Sequence, residues 1–233
     1  MAFIRFNNVV KSFKMASGPV HALQGVDFEI NEGEFVVIVG PSGAGKTTLL
    51  NLLGGMDRAT SGEMIVDGMD VAKFSEAKLT RYRRDMVGFV FQFYNLMPNL
   101  TALENIELAV EIRKDSLDPA EVLDLVGLTP RKNNFPSQLS GGEQQRVSIA
   151  RSVAKNSKIV LCDEPTGALD YETGKKILKL LHDINRAHNR TVVLVTHNSA
   201  LRDMADKVIT VKNGLVEEVF MNSKPKPIEE IEW

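Results

Sequence analysis

Cysteine is almost missing from this chain. Cys162 is the only one among 233 residues, so no internal disulfide can form, and the composition suits a reducing compartment. No apolar run approaches the ~20 residues needed to span a bilayer as a helix. Residues 1–10 lack a basic segment followed by a long apolar one, which argues against a secretory signal. Neither sign of charge dominates: 28 basic residues face 30 acidic ones, for a formal net charge of −2. The basic footprint of a nucleic-acid binder is therefore missing, and no nucleic-acid partner is expected. His21, His182 and His188 have no partner at metal-ligand spacing and read as surface or packing residues. Internal repeats and low-complexity tracts are absent too. The length allows one α/β domain, or one domain with an inserted subdomain, and is ample for a sizeable core. These exclusions predict a soluble, cytoplasmic chain. If it works at a membrane, another chain must hold it there.

What the chain does have is centred on Gly40-Pro41-Ser42-Gly43-Ala44-Gly45-Lys46-Thr47. This is G-x-x-x-x-G-K-[ST], and it stands in the context that the motif needs. Phe35-Val36-Val37-Ile38-Val39 before it reads as a buried parallel strand, and Thr48-Leu49-Leu50-Asn51-Leu52-Leu53 after it as a helix opening. The glycines let the loop wind tightly, so that successive backbone N–H groups face one anion at a positive helix end. Lys46 has the reach for β- and γ-phosphates, and the Thr47 hydroxyl is a ligand for Mg²⁺.

The rest of the chain has three textures. Residues 3–10 and 23–30 read as strands, with a loop at 14–19 broken by Gly18-Pro19, and suggest a small antiparallel sheet beside the nucleotide core. Residues 63–68 and 87–91 continue as strands, separated by a polar helix over 75–84. After Gln92 the pattern turns helical. Thr101 and Glu104 form a capping box, Asp118-Pro119 opens another helix, and Gly127 closes it. Residues 93–155 thus read as a helical subdomain inserted into the main sheet. Residues 159–162 and 191–195 are apolar runs typical of central parallel strands, joined by a crossover helix over 172–188. Residues 208–211 and 215–220 flank the hairpin signal Asn213-Gly214. Residues 1–222 make one domain, and the tail 223–233 is expected to be loosely held.

Two further constellations bear on function. Asp163 and Glu164 follow the strand at 159–162. An acid at the carboxyl end of such a strand fits a Mg²⁺ ligand beside the phosphate loop, and the adjacent Glu164 would face the attacking water. A lone Asp-Glu would more simply be two solvated loop acids; following a phosphate loop, and leading into Pro165-Thr166-Gly167, it is not. Leu139-Ser140-Gly141-Gly142-Glu143-Gln144-Gln145-Arg146 is physically a capping box opening a helix that runs to about residue 155. Its glycines are expected to leave the helix end bare, open to an anion. Spacing alone does not separate this from an ordinary capped helix.

Together these motifs resemble the nucleotide-binding subunit of ATP-binding cassette (ABC) transporters over roughly residues 4–220. Residues 40–47 look like the Walker A loop, Gln92 the Q-loop glutamine, residues 139–146 the signature motif with LSGG intact, and residues 159–164 Walker B with its catalytic glutamate. Gly167-Ala168-Leu169-Asp170 looks like the D-loop, and His197 like the switch histidine. Phe13 stands where the family has an adenine-stacking aromatic, here without the more frequent hydroxyl. Residues 89–105 and 135–138 resemble the lipoprotein-release and macrolide-export (LolD/MacB-like) group, with Ala168 for the more usual Asn and Ser157 for a frequent proline.

The resemblance implies a P-loop NTPase core with a mostly parallel sheet, an N-terminal antiparallel β-subdomain and the helical insertion. It implies an ATPase working as a head-to-tail dimer. Phe13, Gly40, Ser42, Gly43, Ala44, Gly45, Lys46, Thr47 and Thr48 would hold ATP in one subunit; Ser140, Gly141, Gly142 and Asp170 would act from the other. Thr47, Gln92 and Asp163 would hold Mg²⁺, and Glu164, His197 and Gln92 would serve catalysis. An integral membrane permease would dock near Tyr94, Leu96, Met97, Pro98 and Leu100 and keep the chain at the cytoplasmic face of the membrane. The alternative is a soluble single-cassette ATPase of the iron–sulfur assembly type. A P-loop small-molecule kinase offers no role for residues 139–146.

Overall fold

The computed structural model describes residues 2–16 and 18–232. In chain order it contains β1 (Ile4–Met15), β2 (Gly18–Ile30), β3 (Phe35–Val39), α1 (Lys46–Leu53), β4 (Ser61–Val66), β5 (Met69–Asp70), α2 (Glu76–Met86) and β6 (Val87–Val90). Then come α3 (Ala102–Val110), α4 (Pro119–Leu125), α5 (Gly141–Ala154), β7 (Ile159–Asp163), α6 (Tyr171–His188), β8 (Thr191–Thr196), β9 (Lys207–Lys212) and β10 (Leu215–Met221). Two sheets form. One is antiparallel, in the order β2-β1-β4-β5; the other has the order β10-β9-β3-β8-β7-β6. In the second, β9, β3, β8, β7 and β6 run parallel, and only β10 pairs antiparallel.

The period of a strand decides where the core lies. All five residues of β3 are buried. Phe35, Val37 and Val39 pack on the side of the sheet that carries α3, α4, α5 and α6. Val36 and Ile38 point the other way, into a second core with Leu49, Leu50, Leu52 and Leu53 of α1 and Phe6 and Phe28 of the antiparallel sheet. A parallel strand covered on both faces is apolar at every position, which is why it reads as an unbroken run.

The first hairpin is longer than expected. Of the predicted loop at 14–19, position 17 lies outside the described residues, and four of the rest are strand, with Lys14 opposite Pro19 and Met15 opposite Gly18. Proline is tolerated there because β2 is the edge of its sheet and owes no hydrogen bond outward. The tail also departs from expectation. Far from being loosely held, it buries Ile228 and Ile231 against the core beside α6. The Tyr171 hydroxyl donates to the Ile231 carbonyl at 3.1 Å, and Lys175 to that of Glu229 at 2.9 Å. Two aliphatic side chains three residues apart are enough to dock a short 3-10 turn at Ile228–Glu230. No helix of the described residues is long and apolar enough to cross a membrane.

Candidate nucleotide site

The parallel register brings the carboxyl ends of four strands to one edge. Val39 lies opposite Thr196, Asp163 opposite Val195, and Val90 opposite Cys162. The loops leaving those ends carry the chemistry, as expected for a parallel sheet where strand order reverses.

The loop after β3 winds through Gly43 at φ +76° and Gly45 at φ +102°. Gly45 is the N-cap of α1; no side chain caps this helix, and its first turn holds no acid. A Cβ at Gly45 would lie 2.5 Å from the Ala22 carbonyl, and one at Gly40 would lie 2.0 Å from that of Val211. Neither position admits another residue without moving backbone. The amides of Lys46, Thr47 and Thr48 open α1 and have no acceptor inside the helix. Lys46 is buried, 7% exposed as a residue, and its ammonium donates to the carbonyls of Gly40 and Pro41 at 2.7 and 2.9 Å. Among the described residues this cation is held by carbonyls and makes no ion pair, which suits a polyanion.

The Thr47 hydroxyl donates to Asp163 at 3.3 Å. Burial pushes the Asp163 carboxyl above its ordinary pKa; the Thr47 bond lowers it, Glu164 raises it and Lys46 lowers it. Glu164 adopts φ +46°, a left-handed conformation that costs a non-glycine residue about 1–3 kcal/mol and collects at functional sites. That turn is held by a network. The Glu164 amide donates to Val195 at 2.9 Å, and its carboxylate accepts from the Thr196 hydroxyl at 2.9 Å and the His197 amide at 2.8 Å. The His197 Nδ1 lies 2.8 Å from the same carboxylate oxygen. Thr196 is absent from the sequence-level set; its position before His197 was the only signal available.

Gln92 faces the same cavity from the end of β6. The cavity measures about 500 Å³ and is lined by Ser42 to Thr48, Gln92, Asp163, Glu164 and His197, with Val20, His21 and Ala22 at one side. His21 is an exposed residue, as expected, and it also borders this cavity, with its Nδ1 2.8 Å from the Ser12 hydroxyl. Phe13 stands on the same hairpin, opposite Val20, with the Lys11 ammonium 4.7 Å from its ring centre. It does not itself line the cavity. Thr47, Gln92 and Asp163 offer a hydroxyl, an amide and a carboxylate. These are hard oxygen donors, so the set fits Mg²⁺.

None of Ser140, Gly141, Gly142 or Asp170 lines this cavity. They sit at the starts of α5 and α6. Ser140 caps α5, accepting from the Glu143 amide, and Glu143 answers through the Ser140 N–H at 2.8 Å. The helix end is therefore not bare, as the glycines alone suggested: one carboxylate already occupies part of it, leaving Gly141 and Gly142. Gly142 is buried, and a Cβ there would lie 2.4 Å from Thr173 Cγ2 of α6. Asp170 caps α6 through the Thr173 amide at 3.0 Å. The buried Gln145 donates to Pro165 at 2.9 Å and ties the helix to the loop after Glu164.

A lysine-bearing glycine loop, a strand-end acid pair and two parallel cores define a P-loop nucleoside-triphosphatase. A profile of the ABC transporter family matches residues 23–167, and this chain belongs to that family, as one of its ATP-binding cassettes. It is 43% identical over 91% of its length to the lipoprotein-releasing system ATP-binding protein LolD of Syntrophus aciditrophicus, covering 97% of that protein. The dimeric post-hydrolysis structure of the ATP-binding cassette MJ0796 bound to ADP and Pi, a protein of Methanocaldococcus jannaschii, superposes with a TM-score of 0.86 at 42% identity. The match covers 94% of this chain and 98% of that one. An ABC transporter ATP-binding protein of Mycoplasma genitalium is 44% identical over 99% of this chain, which spans only 50% of that relative's length.

Proposed function

We propose that this chain binds and hydrolyses Mg-ATP as one of two identical subunits, and that it drives a membrane permease of the LolD/MacB-like kind in export or force transmission. The observation that carries the reading is the split between its two anion-binding ends. The cavity gathers Lys46, Thr47, Gln92, Asp163, Glu164 and His197, while the LSGG end of α5 stands outside it. A second copy placed head to tail supplies that end to the first copy's phosphates.

Within this reading the glycine loop and Lys46 hold the β- and γ-phosphates, and the Phe13 hairpin meets the base. Thr47, Gln92 and Asp163 hold Mg²⁺, which offsets phosphate charge when bound. Glu164 accepts the proton of the attacking water, and Thr196 and the His197 amide aim its carboxylate. His197, leaving its Nδ1 contact, meets the γ-phosphate. Ser140, Gly141, Gly142 and Asp170 act across the dimer. The permease docks by the segment after Gln92, where Phe93 is 77% exposed and Met97 49%, and holds the chain at the cytoplasmic face. The likeness to LolD over nearly its whole length favours this over an iron–sulfur assembly role.

The test uses Glu164→Gln. Removal of a general base is expected to slow turnover by ~10²-fold or more with ATP affinity kept. With Mg-ATP the variant should run as a dimer in gel filtration. Wild-type turnover defeats the role of Glu164; an ATP-loaded monomer defeats the head-to-tail arrangement.

A further inference from the structure

Residues 222–232 bridge two stretches of chain that leave the nucleotide site. One is the 3-10 turn Ser199–Met204, which follows His197. Such turns are short and weakly bonded, and their last carbonyls need donors from elsewhere. The segment supplies them. The Asp203 carbonyl accepts from the Lys226 amide at 2.8 Å and from the Asn222 side-chain amide at 3.0 Å, and the Asp203 carboxylate pairs with the Lys226 ammonium at 2.7 Å. The Asn222 backbone amide donates to the Asp206 carbonyl at 2.8 Å. The other end of the turn is tied to the acid. Asn198 caps it by accepting from the Ala200 amide at 3.1 Å, and its own amide donates to the Thr196 hydroxyl at 3.0 Å, the group that donates to Glu164. The second stretch is the start of α6, directly after Asp170. There Tyr171 and Lys175 hold the carbonyls of Ile231 and Glu229, and the Lys175 ammonium also donates to the Tyr171 hydroxyl at 2.9 Å. Ile228 and Ile231 join the buried cluster that contains Leu178 of α6 and Leu201 and Met204 of the turn.

One piece of chain thus holds, at the same time, the backbone that carries His197 and the helix that opens at Asp170. None of its residues lines the nucleotide cavity. We propose that residues 222–232 are a strap for hydrolysis, with Ile228 and Ile231 as positioning residues that keep the Glu164–His197 pair and the Asp170 helix in one mutual arrangement. This role rests on the hydrolytic reading of Glu164 and His197 given above. The His197 side chain is 69% exposed, so packing does not fix the ring, and its place depends on the backbone that carries it. Misplacing a reacting group by about 1 Å can cost roughly 100-fold in rate. Phosphate binding by the loop at residues 40–47 uses none of the strap's contacts. The strap therefore acts on turnover and leaves ATP affinity alone.

The experiment compares the full chain with its Ile228→Ser/Ile231→Ser variant and follows release of the strap by hydrogen exchange over residues 222–232. Turnover is divided by the number of ATP sites found in a binding titration, so that unfolded chain drops out. The expected result is faster exchange, a kcat per ATP site lower by about tenfold or more, and unchanged KM and ATP affinity. Ile228→Leu/Ile231→Leu, which keeps both apolar anchors, should retain wild-type turnover. Wild-type kcat per site with the strap released overturns the proposal, and so does a loss of ATP affinity large enough to account for the fall. If the serine variant does not fold, Asn222→Ala decides. It removes one donor to Asp203 without touching the core and should lower kcat about two- to threefold at unchanged KM; an unchanged kcat overturns the strap. Glu164→Gln separates the two readings. Wild-type turnover there removes the hydrolytic pair and the strap with it. Slowed turnover there, beside full turnover in the released strap, removes the strap alone.

Discussion

Two helices of this chain begin at glycines, and they begin differently. α1 starts from Gly45 with no capping side chain and no acid in its first turn. α5 starts from Ser140 with a complete capping box, and Glu143 stands in its first turn. The N–H of Ser140, then its hydroxyl and Arg131, hold the Glu143 carboxyl below its ordinary pKa. Both ends point positive dipole at whatever lies ahead of them. Only the second is already answered from within. The first is left open to an anion. The second is a self-sufficient helix end, held by its own capping box. In the head-to-tail arrangement proposed above, a clamp that meets another subunit's nucleotide needs that independence; a loop that wraps its own nucleotide does not.

This contrast can be tested from either side. The largest effect is expected at the open end. Lys46→Ala removes a charge-assisted donor worth about 1.5–3 kcal/mol, so ATP affinity should fall roughly 10- to 100-fold in a titration of the monomer. Unchanged affinity would break the assignment of that end. Next is the close approach of α5 to α6. Gly142→Ala drives a Cβ into Thr173 and should destabilise the fold by about 1–3 kcal/mol in urea unfolding. Adding Thr173→Ser, which removes the clashing methyl, should recover most of it.

Ser140→Ala deletes the cap and should cost about 1 kcal/mol, while leaving the ATP affinity of a single subunit untouched. A change in monomer affinity would show that the two ends are not independent. The smallest effect is in pH. Glu143 has a folded pKa below its ordinary value of 4.5. Its contribution is therefore full above that value and is lost as pH falls through the lowered folded value. Amide exchange at the start of α5 should quicken over that acid range, whereas the start of α1, with no acid to titrate, should not follow it.

Much of this was legible beforehand because it is local. The phosphate loop, the capping boxes at Thr101 and Ser140, the N-cap at Asp118 and the Asn213-Gly214 turn each rest on a few adjacent residues whose backbone needs are strict. Proline at position 19 suggested a loop because its missing N–H matters only if the strand is internal, and edge position is a property of the sheet. The tail suggested looseness because two isoleucines in a polar stretch carry no period; their burial depends on a surface of α6 and Tyr171 many residues away. That Arg151 holds the turn after Gln92 depends on α5 lying against that turn, across 56 residues of sequence.

By itself, the sequence determined the chemistry: a phosphate loop, an acid pair at a strand end and a helix opening on LSGG are short-range patterns set by backbone sterics and by hydrogen bonds between near neighbours. Only the tertiary structure decided which of these share a cavity. Parallel register aligns Val39, Asp163 and Thr196 at one edge, brings His197 onto Glu164, and leaves Ser140 facing elsewhere. Register and packing come from the two apolar faces of β3 being covered at once, and no residue's neighbours in sequence can specify that.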